Sequence, residues 1–294
     1  MKKWISLLTS LLLLQLVLPA QSNPPRVLLR LDDNGMNHSV TMAIKQVAAT
    51  GIPFSSSVMF ACPWYQEAVA VLKQYPQVSV GVHLTLNSEW KYYRWGPVLG
   101  KSAVPSLVDS NGHFHASTTE FLQSAYKLDE VERELTAQVE RAIHSGLRID
   151  YVDYHMGTAT STPELRAIVE KIARKFKLGI SRYFGENYQT MFDVSVETKK
   201  DEFLKRLSHL AGDKVNLVVM HVAEATPEMN ALVDMNNKDQ HSDTKPLVAM
   251  HRSAELNSLL SPEFQTMVKS GKVKLVTYRN LVQEVGLEKM KVGN

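Results

Sequence analysis

The chain has 294 residues, 44% of them hydrophobic, with 33 Lys and Arg against 30 Asp and Glu and a formal net charge of +3 at pH 7. That composition fills the core of one large α/β domain or two small ones and excludes a disordered chain. The small positive balance includes Lys2 and Lys3 near the N-terminus, so it gives no reason for a nucleic-acid partner, and Cys62, the only cysteine, excludes an internal disulfide.

Lys2-Lys3, the apolar run 4–18 and Pro19-Ala20-Gln21-Ser22 have the basic start, apolar middle and small-residue exit of a secretory signal peptide. The run is short for a membrane-spanning helix, so beyond an uncleaved N-terminal anchor no membrane attachment is expected. The expected organisation is a signal peptide over 1–22 and a mature domain over 23–294, exported to the periplasm or secreted.

Residues 27–31 form a short apolar run of β-forming length that ends in Asp32-Asp33-Asn34-Gly35. A buried parallel strand delivers side chains to a sheet edge in this way. Two adjacent carboxylates raise one another's pKa unless a cation or a proton lies between them, which points to a metal site or a shared-proton acid/base site. A strand end followed by an Asx helix cap is the plainer reading.

Asn37 or His38 caps a helix to Ala49, Gly51 ends it, and the apolar stretch 54–60 supplies a second strand. Pro63 opens a helix to about Lys73, and 78–86 has the β propensity of a third strand that carries His83. Both periodicities vanish over 87–117, where Trp90, Tyr92, Tyr93, Trp95, Gly96 and Pro97 accumulate; so long a loop in a compact domain is usually functional. An amphipathic helix over 120–142, whole or divided near Asp129, precedes a fourth strand over 149–155 that ends on His155. Helices over 163–177 and 198–211 enclose a short strand over 178–182, and the apolar strand 215–221 again ends on a histidine, His221. After a polar loop to Lys245, a helix over 250–269 broken near Pro262, a strand over 273–278 and a helix over 279–285 complete the chain.

Continuous alternation without a linker predicts a (β/α) barrel, regular or distorted and TIM-barrel-like, of about seven parallel strands. Catalytic groups in such folds collect at the carboxyl ends of the strands, where Asp32, Asp33, His155 and His221 fall, with His83 close by. One Asp oxygen and two neutral imidazoles make a facial set for Zn²⁺ or another first-row metal, with positions left for water and substrate.

The chain resembles the YdjC/ChbG carbohydrate deacetylase family through Leu31-Asp32-Asp33-Asn34-Gly35, Gly81-Val82-His83-Leu84-Thr85-Leu86-Asn87, Val104-Pro105-Ser106-Leu107-Val108-Asp109 with Gly112-His113-Phe114, Val152-Asp153-Tyr154-His155, and His251-Arg252-Ser253-Ala254-Glu255-Leu256. The resemblance implies a distorted barrel, a divalent metal ion (Mg or Zn) held by Asp33, His83 and His155, and removal of an acetyl group from an amino sugar. It makes Asp32 the general base and His221 the acid or oxyanion partner. His221 stands in Met220-His221-Val222-Ala223, where that family has Cys-His-Pro-Gly. Met156, Gly157, Thr158 and Ala159 replace further histidines, and Asn34 replaces an apolar residue.

Trp90, Tyr93, Trp95 and Arg252 are candidate substrate contacts, because flat apolar faces with polar rims suit sugar rings. The aromatic residues are equally suited to plugging the barrel mouth. No Gly-x-Ser-x-Gly elbow or glycine-rich phosphate cradle occurs. The expected activity is metal-dependent deacetylation of a saccharide or related glycoconjugate by a monomer or homodimer. The alternatives are a non-catalytic carbohydrate-binding relative and a metal-dependent phosphodiesterase.

Overall fold

The computed structural model describes residues 23–292 except 211, 213 and 237–246. The expected signal peptide lies outside the described residues. Eight strands make one parallel sheet: β1 (Arg26–Asn34), β2 (Ser55–Val58), β3 (Ser79–Leu84), β4 (Ile149–Tyr154), β5 (Gly179–Ile180), β6 (Asn187–Thr190), β7 (Val215–Met220) and β8 (Lys274–Val276). The order is β5-β4-β3-β2-β1-β7-β6, with β8 paired to β1. β7 runs along β1 from Arg26 to Leu31, while β8 and β2 divide its remaining partners, β8 taking Arg26–Leu28 and β2 the segment from Arg30 onward. β5 and β6 pair with each other nowhere, so the curled sheet is a distorted barrel with a seam between them.

The connecting helices are α1 (His38–Ala49), α2 (Tyr65–Leu72), α3 (Thr118–Gln123), α4 (Leu128–His144), α5 (Pro163–Phe176), α6 (Lys199–Ser208), α7 (Pro227–Asn230), α8 (Leu247–Leu260), α9 (Pro262–Lys269) and α10 (Tyr278–Val285). None of them is long and apolar enough to cross a membrane. α4 shows how they pack: Val131, Leu135, Val139 and Ala142 recur at helical spacing and are fully buried, while the opposite face is charged. Of the two readings of 120–142, whole or divided, the structure shows the divided one: Ser124 leaves the helical region and α4 starts afresh at Leu128. β6 was not expected, since Asn187-Tyr188-Gln189-Thr190 has no apolar run and lies on the open edge of the sheet.

Inside the barrel, side chains follow the period of two along each strand. Leu28, Leu217, Tyr151, Val276 and Tyr278 form an apolar floor, with the rings of Tyr151 and Tyr278 4.2 Å apart. Gly81 makes room for this floor, because a Cβ there would lie 2.4 Å from Cζ of Tyr151. One and two steps further along the same inward rows stand Arg30 and Asp32 on β1, His83 on β3, and Asp153 and His155 on and just beyond β4. The strands therefore exchange an apolar base for a charged upper layer at their carboxyl ends.

Candidate active site and metal centre

Arg30 is buried, and its guanidinium organises that upper layer. Nε and Nη2 donate to the two carboxylate oxygens of Asp32 at 2.7 Å each, and Nη1 donates to Ser181 Oγ at 2.6 Å. Nε also lies 2.9 Å from Asp153 Oδ2. A planar donor fork thus fixes both oxygens of Asp32, which retain lone pairs for a further partner.

Asp33 follows Asp32 and in an ideal strand would point away from the barrel. The register is broken between Leu31 and Asn34, and Asp33 takes a left-handed φ of 63°, which turns it toward the site. Asx residues tolerate this conformation better than most, so the short side chain suits the position. Met36 N–H closes the turn onto Asp33 O at 3.0 Å. Asn34, fully buried, ties the strand end to its neighbours by donating to Ser56 Oγ and accepting from Thr41 Oγ1.

Asp33 Oδ1 lies 3.4 Å from His83 Nε2 and 3.4 Å from His155 Nδ1. It is buried and has no hydrogen-bond partner among the described residues, while Oδ2 accepts from Arg252 Nη2 at 2.6 Å. The outer nitrogens of both rings are engaged: His83 Nδ1 is 2.9 Å from Asp153 Oδ1, and His155 Nε2 is 2.9 Å from Glu89 Oε2. Ligating histidines characteristically hand their second N–H to a carboxylate, which fixes tautomer and orientation. An orphaned carboxylate oxygen facing two imidazoles so braced fits a divalent ion. A second close set, Asp32, His83 and Asp153, has the right atom types, but the Arg30 guanidinium already engages both of its carboxylates.

The electrostatics agree with cation occupancy. Burial pushes the Asp33 carboxyl up, but Arg252 and the facing imidazoles hold it well below the usual range. Burial pulls His83 down, but the charges of Asp153 and Asp32 bring it up to about 10. For His155 burial is likewise outweighed, mainly by Glu89, and the group reaches about 9.

Both rings are then protonated at neutral pH in the metal-free chain, and a ligand ion must displace one proton from each. Zn²⁺ uptake near pH 7 is expected to release close to two protons, from His83 and His155, and to weaken as the pH falls because proton and ion compete for the same nitrogens. Calorimetry in two buffers of different ionisation enthalpy counts them, and uptake with no release would show that the two rings are neutral before the ion binds or do not ligate it.

The family model described as YdjC-like protein matches residues 26–270, which contain every residue of this site. The chain belongs to the YdjC-like family. A carbohydrate deacetylase of Brevibacillus brevis is 25% identical over 266 residues, 87% of this chain and 99% of the relative. Carbohydrate deacetylase 1 of Listeria innocua is 26% identical over 268 residues, 87% of this chain and 100% of its own length. A solved structure from Enterococcus faecalis, described as a cellobiose-phosphate cleavage protein, shares the fold with a TM-score of 0.68 and 24% identity, covering 88% of this chain and 99% of that one.

In this YdjC-like chain His221 follows β7, with Nε2 4.0 Å from Asp32 Oδ2 and about a third of its side chain exposed. Its backbone N–H donates to Glu255 Oε2 at 2.5 Å, and Lys199 Nζ, fully buried, lies 3.0 Å from Glu255 Oε1. A cavity of about 530 Å³ opens over Asp32, Asp33, His83, His155 and His221.

The aromatic loop divides. Trp90 lines the cavity with the Arg252 guanidinium 5.6 Å over its ring, and Nη1 of Arg252 is buried without a hydrogen-bond partner among the described residues. Tyr93 and Trp95 do not line this cavity: Tyr93 donates to Met36 O, and Trp95, buried, donates to Asn87 O at 2.7 Å. Their rings are an apolar support beneath the loop, with Trp95 edge-on to His155 at 6.2 Å.

Arg30, Asp153 and Glu89 were missed in the sequence. Arg30 and Asp153 stand two residues before Asp32 and His155, so the strand period placed them on the inward face. Glu89 lies beyond β3 in aperiodic sequence that carried no such signal.

Proposed function

We propose that the chain is an exported, metal-dependent hydrolase that removes acetyl groups from an acetylated saccharide or related glycoconjugate. The observation that carries this reading is the pairing of two unlike carboxylates: Asp33 faces two braced imidazoles, while Asp32 is held by Arg30 at the cavity and 4.0 Å from His221. The names of the Brevibacillus and Listeria relatives support the acyl and saccharide parts of the reading.

Asp33, His83 and His155 would hold the ion, which supplies a Lewis acid for the acyl oxygen and lowers the pKa of water at the site. Asp32 takes the proton of the attacking water, and Arg30 keeps its carboxylate oriented while it does so. As the tetrahedral carbon collapses, His221 gives a proton to the departing nitrogen or oxygen, or donates a hydrogen bond to the oxyanion. Acetate and the free amine or alcohol result, without a Ser or Cys nucleophile. Cys62 is fully buried and burial raises its thiol pKa, so it takes no part. Met156, 42% exposed with a left-handed φ of 53°, gives the cavity rim an apolar edge.

The test is a panel of N-acetylated oligosaccharides, O-acetyl esters and bis-nitrophenyl phosphate, assayed with the mature protein and its best-binding metal. Acetate release from at least one acetylated saccharide is expected. Turnover of the phosphate alone would make the chain a phosphodiesterase, and saccharide binding without turnover of any substrate would make it a binding protein.

A further inference from the structure

The residues next to the barrel seam form a feature that the chemistry above does not use. Arg182 lies just past β5 and Tyr188 lies on β6, on opposite sides of the seam, and both line the cavity with Phe192. Arg182 has a left-handed φ of 69°, a conformation that a long side chain rarely adopts. Glu186 holds it there, since its two carboxylate oxygens accept the backbone N–H groups of Arg182 and Phe184 at 2.9 and 2.7 Å. The guanidinium lies 4.9 Å over the Tyr188 ring. Tyr188 and Phe192 are 43% and 59% exposed, whereas Trp90, which also lines the cavity, is 4% exposed. The open aromatic faces of this cavity are therefore at the seam.

The charge inventory of the cavity separates Arg182 from its other cations. Arg30 is paired with Asp32, Arg252 with Asp33 and Lys199 with Glu255. Among the described residues no carboxylate forms an ion pair with the Arg182 guanidinium, whose recorded partner is the Tyr188 ring. A cation stacked on an aromatic ring and free to use its donor edge fits a sugar that carries an anion.

We propose that Arg182, Tyr188 and Phe192 form a sugar subsite that selects a ring bearing a carboxylate, next to the acetylated ring at the metal centre. A phosphate monoester carries nearly twice the charge of a carboxylate, so its attraction to a single guanidinium nearly doubles, while the cost of taking it out of water, which grows as the square of the charge, rises faster. A monoanion is the better match. The subsite rests on the deacetylase reading for the acetylated ring, but its binding selectivity is measurable without turnover.

Dissociation constants are to be measured on the metal-loaded protein for three probes. These are a disaccharide of N-acetylglucosamine and glucuronic acid, the neutral disaccharide of two N-acetylglucosamines, and the neutral disaccharide phosphorylated on a primary hydroxyl. The uronate disaccharide is expected to bind about tenfold tighter than the neutral one, an advantage that added salt reduces. Arg182→Ala is expected to bring that ratio close to one, and Arg182→Lys, which keeps the charge but loses the planar fork, to leave an intermediate ratio. Thermal unfolding of each variant separates this loss from misfolding; if the Ala variant does not fold, the ratio in the Lys variant decides. Equal affinities in the wild type, a ratio unmoved by either variant, or tightest binding of the phosphorylated sugar would overturn the subsite. Retained selectivity with no acetate release from any probe would instead remove the deacetylase reading and leave the subsite standing.

Discussion

Asp32→Asn is expected to lower acetate release by about a thousandfold while the metal-loaded protein still takes up its ion. The carboxylate lines the cavity 4.0 Å from His221, and an amide cannot accept the proton of an attacking water. Asn also presents an NH₂ group to one arm of the Arg30 fork, where Asp32 accepts through both oxygens. Arg30 keeps Asp153 and Ser181 as partners, so the stability cost stays near the about 1–3 kcal/mol of one unsatisfied buried donor. Steady-state kinetics, a metal titration and a denaturation curve on the same preparation separate these effects. An Asn variant with near wild-type turnover would remove Asp32 as the base. One that loses its metal as well would show that Asp32, not Asp33 alone, belongs to the ligand set.

Much of this arrangement was legible because strands repeat every two residues and end abruptly. Asp32, His155 and His221 were recognisable as strand-end groups from apolar runs that stopped on them, and parallel pairing brought those ends together. Asn34 was opaque in the sequence because its worth is tertiary: it joins β1 to Ser56 and Thr41, partners that only folding brings near. β6 was invisible because its four residues lack alternation, and their pairing to β7 is decided by the position of the neighbouring strand. The aromatic loop stayed open between two readings for a related reason. Composition identifies a sugar platform and an apolar plug equally well, and burial alone assigns Trp95 to the plug and leaves Tyr188 and Phe192 open.

The second large effect concerns the metal itself. Wild-type protein stripped with a chelator is expected to take up one divalent ion per chain, and His83→Ala or His155→Ala to abolish stoichiometric uptake, since each would remove one of the three proposed ligands. The carboxylates behind the rings give a graded version of the same test. Asp153→Asn and Glu89→Gln keep side-chain size while removing the charge that accepts the outer ring N–H, and each is expected to weaken the ion by about 10- to 100-fold. The effect at Asp153 should be the larger of the two. That residue also faces Arg30 and Ser57, so its loss disturbs Asp32 as well as His83, whereas Glu89 acts on His155 from a loop. Metal analysis and competition against a fluorescent chelator measure the whole series. A wild type that gains no ion from Zn²⁺, Mg²⁺, Mn²⁺ or Co²⁺ would make the cluster a structural network of buried ion pairs. In that case neutralising Asp153 would register only as a loss of stability, because the protonated ring of His83 would lose the nearer of its counter-charges.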